Sequence, residues 1–423
     1  MELFLLEVTL FCILQLYMST HKQRIIIVGG GFAGIRVAKD LNRQLDTAQH
    51  EIILISNNDY FEYYPAMYRV VTGSSPIRVQ IPLADIFEGT DVTCICDTIV
   101  DIDVTTKTVR GINDVVYTGD TLVLALGAQI NYFNIEGLEE VSFNFKSVDK
   151  ALHLRSHIHR LFASYNEEDT EAALVALNFV IVGAGPSGVE LAGEMALYTK
   201  ALAKKYDVPE SLISVNLVQA SGRVLPTFPE RVSARALKRL RSLGVNVLLN
   251  RILIQGRSWT ALLKDMKMGT RTIVWTAGVK TNEVYRTLAA DFEFDGKGRV
   301  VVDEYMQARG HAGIYIAGDN AATEYSGLAQ TALYDGAFIA DDITRRIKGK
   351  VPRAYTAKEV AFDVPIGPGW AALVVKGSSF FGRIPWILRH LIDFKFYVSI
   401  LPFRKAWHAF FAPTTLIDHE HEE

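Results

Sequence analysis

Two glycine-rich turns constrain this chain more than any other feature. The first reads Ile25-Ile26-Ile27-Val28-Gly29-Gly30-Gly31-Phe32-Ala33-Gly34, and the second Phe179-Val180-Ile181-Val182-Gly183-Ala184-Gly185-Pro186-Ser187-Gly188. In each, an apolar run of strand length meets glycines at fixed spacing and then a helix-forming stretch. Gly29 and Gly183 permit the tight turn. Gly31 and Gly185 let backbone approach a pyrophosphate, and Gly34 and Gly188 let helix and strand pack closely. Free N–H groups at the start of each helix then hold the anion. Two such turns, about 150 residues apart, predict two dinucleotides held by one chain.

The 423 residues predict two or three domains, and a net charge of −3 gives no pull toward nucleic acid. Three cysteines, Cys12, Cys94 and Cys96, are too few and too odd for a disulfide-stapled fold. Cys94 and Cys96 would share one face of a strand and are expected as buried core thiols. No metal site is expected. Residues 1–18 are apolar but interrupted by Glu2, Glu7 and Gln15, too short for a span and without a basic leader. They read as an extension upstream of a start at Met18, with a membrane anchor as the alternative.

Along the chain, a helix over 33–44 and a strand over 51–56 follow the first turn as a parallel βαβ unit. Residues 91–117 read as an antiparallel hairpin insert, and 121–127 as a buried strand ending in glycine. A helix over 151–166 leads to the second unit, with a helix over 187–204, a strand over 215–218 and a closing segment over 272–278. The predicted class is α/β: two Rossmann-like dinucleotide-binding domains, the second inserted in the first, plus C-terminal amphipathic helices. The expected domains are 19–150 and 296–350 for the first dinucleotide, 151–295 for the second, and 351–423 for a membrane-associating region.

Where an acidic residue usually meets the adenosine ribose, the first unit has Ser56 and Asn57. The matching position of the second is Gln219, uncharged and followed by Ser221 and Arg223. Without a carboxylate there, a 2′-phosphate meets no repulsion, so a dinucleotide carrying that phosphate is expected to be accepted alongside one without it. The alternative is a solvated strand end beside a surface arginine.

The set as a whole resembles the two-dinucleotide flavoprotein superfamily, whose first site holds FAD and whose second holds NADH or NADPH. By that resemblance, Gly29, Gly31, Phe32, Ala33, Gly34, Ser56, Asn57, Ala125, Gly127, Gly318 and Asp319 bind FAD. Gly183, Gly185, Pro186, Ser187, Gly188, Gln219, Ala277 and Gly278 bind the nicotinamide cofactor. The close cysteine pair of disulfide reductases is missing from both expected places, and Cys94 and Cys96 do not match the sulfide-oxidising pattern.

Within the superfamily the chain is most similar to single-subunit type II NADH dehydrogenases. The segments 58–73, 224–230 and 274–279 carry that likeness, which extends from Gln23 to about Lys348. It implies that Glu190 lies near nicotinamide and flavin, and that Ala329-Gln330-Thr331-Ala332 belongs to a quinone region. Family members often carry a second glutamine one turn later. Here Tyr334 stands in its place, a donor and an acceptor at once. Glu190, Gln330 and Tyr334 are therefore the candidate catalytic residues. The implied reaction passes a hydride from NADH or NADPH to FAD and two electrons to a respiratory-chain quinone, without proton pumping. A soluble flavin reductase of a small electron-carrier protein, and a nucleotide-sensing flavoprotein like apoptosis-inducing factor, stay open beside it.

Residues 376–413 hold six basic residues to one acid, with ten aromatics among residues 380–411. Phe403, Ala406, Trp407, Phe410 and Phe411 line one helical face, and Arg404, Lys405 and His408 another. A helix over 385–401 is read with Arg389, His390 and Asp393 on its polar side. These are expected to lie in a membrane interface, and the family resemblance implies a peripheral attachment to the cytoplasmic face of the cell membrane. Packing on the protein, or a homodimer interface, is the alternative.

Overall fold

The computed structural model describes residues 22–288 and 292–414, and the 1–18 extension and Cys12 lie outside them. Two compact units emerge. The first comprises the described residues up to Phe61, then Pro82–Gln129 and Lys280–Val360. The second comprises Glu62–Ile81, Ile130–Val279 and the described residues from Ala361 on.

The first unit is built on five parallel strands in the order Ile314–Ile316, Thr121–Leu124, Gln23–Val28, His50–Ser56 and Val92–Cys96. The central strand Gln23–Val28 is buried from Ile25 onward, which is why its sequence is an unbroken apolar run. Helix Phe32–Gln44 follows it and packs on helix Ala329–Ile347. Their approach is close enough that a Cβ on Gly336 would lie 2.6 Å from the Ala33 carbonyl oxygen.

Two expectations in this unit are corrected. The segment read as a hairpin over 91–117 splits. Val92–Cys96 joins the parallel sheet, while Ile99–Asp103, Thr108–Gly111 and Val116–Thr118 form the antiparallel insert. Cys94 and Cys96 are exposed rather than buried, because their strand is the outermost of the five and paired on one side only.

The second unit repeats the plan with five parallel strands: Ser142–Phe143, Thr272–Trp275, Asn178–Val182, Ser214–Gln219 and Asn246–Leu249. Its long helix, Pro186–Tyr206, follows the second glycine turn. A three-stranded antiparallel sheet, Phe362–Pro365, Ala371–Val375 and Ser378–Gly382, leads into the tail helices Arg383–Ile400 and Phe403–Phe410.

Several segments group differently from the sequence reading: 280–295 and 351–360 belong to the first unit, and Glu62–Ile81, 130–150 and the chain from Ala361 to the second. Side-chain bonds hold Glu62–Ile81 and the tail there. Glu62 Oε1 accepts from the Val148 N–H at 2.8 Å, and Tyr397 and Arg78 join the tail to the same segment.

In the first tail helix Arg389 and Asp393, read as its polar side, are buried, whereas Ile384, Ile387, Leu388, Leu391 and Ile392 are exposed. Among the described residues no helix is long and apolar enough to cross a membrane.

Candidate active site

The first cradle is set by backbone geometry. Gly29 sits at φ +114°, its N–H donates to the Ile55 carbonyl at 2.8 Å, and a Cβ there would lie 2.2 Å from the Ala125 oxygen. A Cβ on Gly34 would lie 1.9 Å from the Gly29 oxygen. At Gly31 the same atom would meet nothing within 4 Å, so the turn opens at the helix start. That helix has no side-chain cap and no acid in its first turn, so its N–H groups remain for an external anion. The residues fit a dinucleotide pyrophosphate.

Around this cradle, Phe32 packs edge-on against Phe61 at 4.9 Å. Ser56 turns inward against Gly30, while Asn57 is exposed at the strand end. Ala125 N–H donates to the Val28 carbonyl, fixing the turn that ends at Gly127. Gly127 and the Gly318–Asn320 turn are tied by Asn320, whose Nδ2 donates to the Gly127 carbonyl at 2.8 Å. Sequence reasoning missed Asn320, though it directly follows Gly318-Asp319. It is fully buried, which an asparagine tolerates only when its amide is bonded.

Gln330 lies exposed in the first turn of helix Ala329–Ile347. Tyr334, one turn on, is half-buried with its ring 5.6 Å from that of Tyr355, and Lys358 Nζ lies 4.3 Å from its ring centre. Behind it, Asp335 accepts from the Gly318 N–H at 3.2 Å and from the Tyr355 hydroxyl at 2.8 Å.

The second cradle reproduces the first. Gly183 sits at φ +107°, and a Cβ there would lie 2.7 Å from Ala277 Cα. A Cβ on Gly188 would lie 1.9 Å from the Gly183 oxygen and 2.7 Å from Thr276 Oγ1, whereas Gly185 again meets nothing within 4 Å. Pro186 takes the first helical position, where its missing N–H costs nothing. Gln219 Oε1 accepts from the Ala184 N–H at 2.7 Å and its Nε2 donates to Ser221 Oγ at 2.7 Å. Arg223 Nη2 donates to the Pro226 carbonyl. Beside the helix start lies a cavity of about 130 Å³ bordered by Tyr64, Lys146, Ser187, Trp275, Thr276 and Gly278. Aromatic walls with a few polar groups suit a flat heterocycle.

Glu190 is buried in this second unit, one turn into helix Pro186–Tyr206. Burial pushes its carboxyl up to about 8, against the pull of Arg389 and Arg69. It therefore holds a proton at neutral pH, a property of acids that move protons. Around it stand Arg69, Arg389, Asp363 and Asp393, none of which sequence reasoning placed in a site. The available signal was the Arg389 and Asp393 pair, four apart on an otherwise apolar helix.

A family model described as pyridine nucleotide-disulphide oxidoreductase matches residues 23–336. Over 418 residues the chain is 29% identical to the type II NADH:quinone oxidoreductase Ndh of Mycobacterium tuberculosis, covering 90% of this chain and 87% of that one. It is 25% identical over 391 residues to the type II NADH:quinone oxidoreductase of Staphylococcus aureus, covering 89% and 95%. Among solved structures, the NDH2 of Plasmodium falciparum in complex with NADH superposes with a TM-score of 0.82 at 18% identity, covering 92% and 97%. The sulfide:quinone oxidoreductase of Aquifex aeolicus gives 0.75 at 16%, covering 92% and 93%. The two structural likenesses concern the fold.

Proposed function

The chain belongs to the pyridine nucleotide-disulphide oxidoreductase family, and we propose that it is a type II NADH:quinone oxidoreductase. The observation that carries this is the pair of uncapped helix starts in two open glycine turns, one per unit. FAD, when bound, would supply the two-electron chemistry that links nicotinamide to quinone. The protein's share is to bind and orient. Gly29, Gly31 and Gly34 hold one pyrophosphate against Phe32–Gln44, with Asp319 for the ribityl chain and Asn57 for the ribose. Gly183, Gly185 and Gly188 hold the other against Pro186–Tyr206, with the nicotinamide in the cavity bounded by Trp275 and Gly278. Glu190 supplies a proton, and Gln330 and Tyr334 hydrogen-bond the quinone carbonyl as charge builds on it.

NADPH is accepted beside NADH, because Gln219 answers the Ala184 N–H without a negative charge. The outward apolar face of the tail seats the protein on a membrane surface, on the cytoplasmic face, where lipid-soluble quinone is reached. A homodimer through the same face is the competing occupant.

Stopped-flow oxidation of the FAD-loaded protein tests the reading, with NADH and with NADPH, each with and without a short-chain quinone. Fast flavin reduction followed by quinone-dependent reoxidation is expected. Reoxidation indifferent to quinone would replace the quinone with a carrier protein or a sensing role.

A further inference from the structure

The cavity beside the second glycine turn is lopsided in charge. Of the described residues that border it, Lys146 alone carries a formal charge. The others are aromatic, aliphatic or neutral polar groups such as Tyr64, Ser187, Trp275 and Thr276. All of them belong to the second unit.

Local bonds fix where that charge stands. The Lys146 N–H donates to Asn144 Oδ1 at 3.1 Å, turning the chain between strand Ser142–Phe143 and helix Val148–Ala163. Ser147 caps that helix, its Oγ accepting from the Lys150 N–H at 3.2 Å. Glu62 ties the helix start to the neighbouring aromatic. Its Oε1 accepts from the Val148 N–H at 2.8 Å and its Oε2 from the Tyr64 hydroxyl at 3.1 Å. Lys146 Nζ lies 5.8 Å from the centre of the Tyr64 ring, within the range where an ammonium is drawn to an aromatic face. Glu62 itself is buried and does not border the cavity.

The charge matters because the nicotinamide changes its own charge in the reaction. The reduced ring is neutral. On giving a hydride, one proton and two electrons, to the flavin it becomes a pyridinium with one positive charge. Like charges in so small a cavity repel, and no carboxylate borders it to offset them.

We propose that Lys146 is a specificity-determining residue whose ammonium favours the neutral reduced nicotinamide over the cationic oxidised one, and so hastens release of the oxidised dinucleotide. The proposal rests on the nicotinamide occupying this cavity, as given above. Lys146 is exposed, so water and salt screen it, and the discrimination is several-fold rather than many powers of ten.

The test titrates the full chain, FAD-loaded, in a calorimeter with three probes. They are NAD+, tetrahydro-NADH, whose neutral ring gives up no hydride, and ADP-ribose, which lacks the ring. In Lys146→Met, NAD+ should bind at least about threefold tighter while the other two keep their affinity. Lys146→Arg should keep the parent's preference. Added salt should shift NAD+ relative to tetrahydro-NADH in the parent and not in Lys146→Met. Product inhibition by NAD+ during quinone turnover should strengthen in Lys146→Met by the same factor. An equal loss for all three probes would put the lysine on ribose or phosphate, and no change in any would leave its charge without effect. Either result, in a variant folded by its melting curve, overturns this inference alone. Val279→Trp puts bulk at the cavity wall. If it leaves tetrahydro-NADH binding unchanged, the nicotinamide lies elsewhere, and the cavity reading falls together with the inference.

Discussion

Tyr63 donates its hydroxyl to Asp393 Oδ1 at 2.6 Å, joining positions 330 residues apart. The same carboxylate accepts from Arg389 at 2.9 Å, so one acid anchors the tail helix and partners a buried guanidinium. Asp393→Asn leaves Arg389 and Arg69 buried without their shared counter-ion. Breaking a buried pair from one side costs about 3–5 kcal/mol. Tyr63→Phe keeps the ring stacked on Phe396 and removes one hydrogen bond, a loss of about 1–2 kcal/mol. Urea unfolding should rank the two in that order, and equal losses would refute it.

The two cradles should fail separately. Gly34→Ala drives a methyl to 1.9 Å from the Gly29 oxygen, and Gly188→Ala drives one to 1.9 Å from the Gly183 oxygen. Neither neighbour is a flexible side chain, so the backbone must move. Gly34→Ala is expected to purify without flavin. Gly188→Ala is expected to keep its flavin and to need at least about tenfold more NADH for half-reduction, a loss of about 1.4 kcal/mol in binding. Flavin content and NADH titration measure both, and loss of flavin in both variants would contradict the separation.

These cradles were legible because their constraint is local. A strand, a positive-φ glycine and a close helix crossing fall within about ten residues, and only glycine satisfies them. Asn320 was less legible, since its bond to Gly127 spans 193 residues. Which face of the tail helix turns inward was not legible, for a physical reason. Helical periodicity separates polar from apolar faces but does not say which face meets water, and Arg389 and Asp393 turned inward by neutralising one another. Cys94 and Cys96 misled because edge and centre strands share one apolar pattern. The grouping of Glu62–Ile81 with the second unit rests on partners such as Val148 and Asp393, far away in sequence.

Gln219→Glu tests the choice of cofactor. Glutamate retains the acceptor for the Ala184 N–H but loses the donation to Ser221 and adds a charge. Repulsion of a 2′-phosphate should lower kcat/KM for NADPH at least about tenfold relative to NADH, or 1.4 kcal/mol. An unchanged ratio would remove Gln219 from cofactor selection.

Asp335 should give unit one a stability that depends on pH. Burial pushes its carboxyl up to about 6, although the Tyr355 hydroxyl and Gly318 N–H oppose the shift. The folded state therefore favours the protonated acid. That stabilisation is complete below the unfolded value near 3.8 and is lost as pH rises through about 6. Asp335→Asn is neutral throughout. Its stability relative to the parent should improve between these limits by on the order of 2–3 kcal/mol, then level off. A difference that stays flat with pH would refute the buried-acid account.

The outward face of the tail offers a test that spares the fold. Deleting the helix would remove Asp393, Arg389 and Tyr397, all buried in the second unit, and would confuse unfolding with release. Ile387 and Leu391 are 50% and 57% exposed and lie one turn apart, so charge there disturbs no core packing. Ile387→Glu with Leu391→Glu puts two carboxylates into an apolar face that exposed Arg383 and Lys395 flank. The double variant should keep its melting temperature within a degree or two, since surface changes shift stability by about 0.5 kcal/mol or less. It should lose most of its binding to vesicles containing anionic lipid, read by co-sedimentation, because both apolar contact and charge attraction are weakened. Sedimentation velocity separates the other occupant. If vesicle binding is unchanged while a dimer dissociates, the face belongs to a second copy of the chain and not to the membrane.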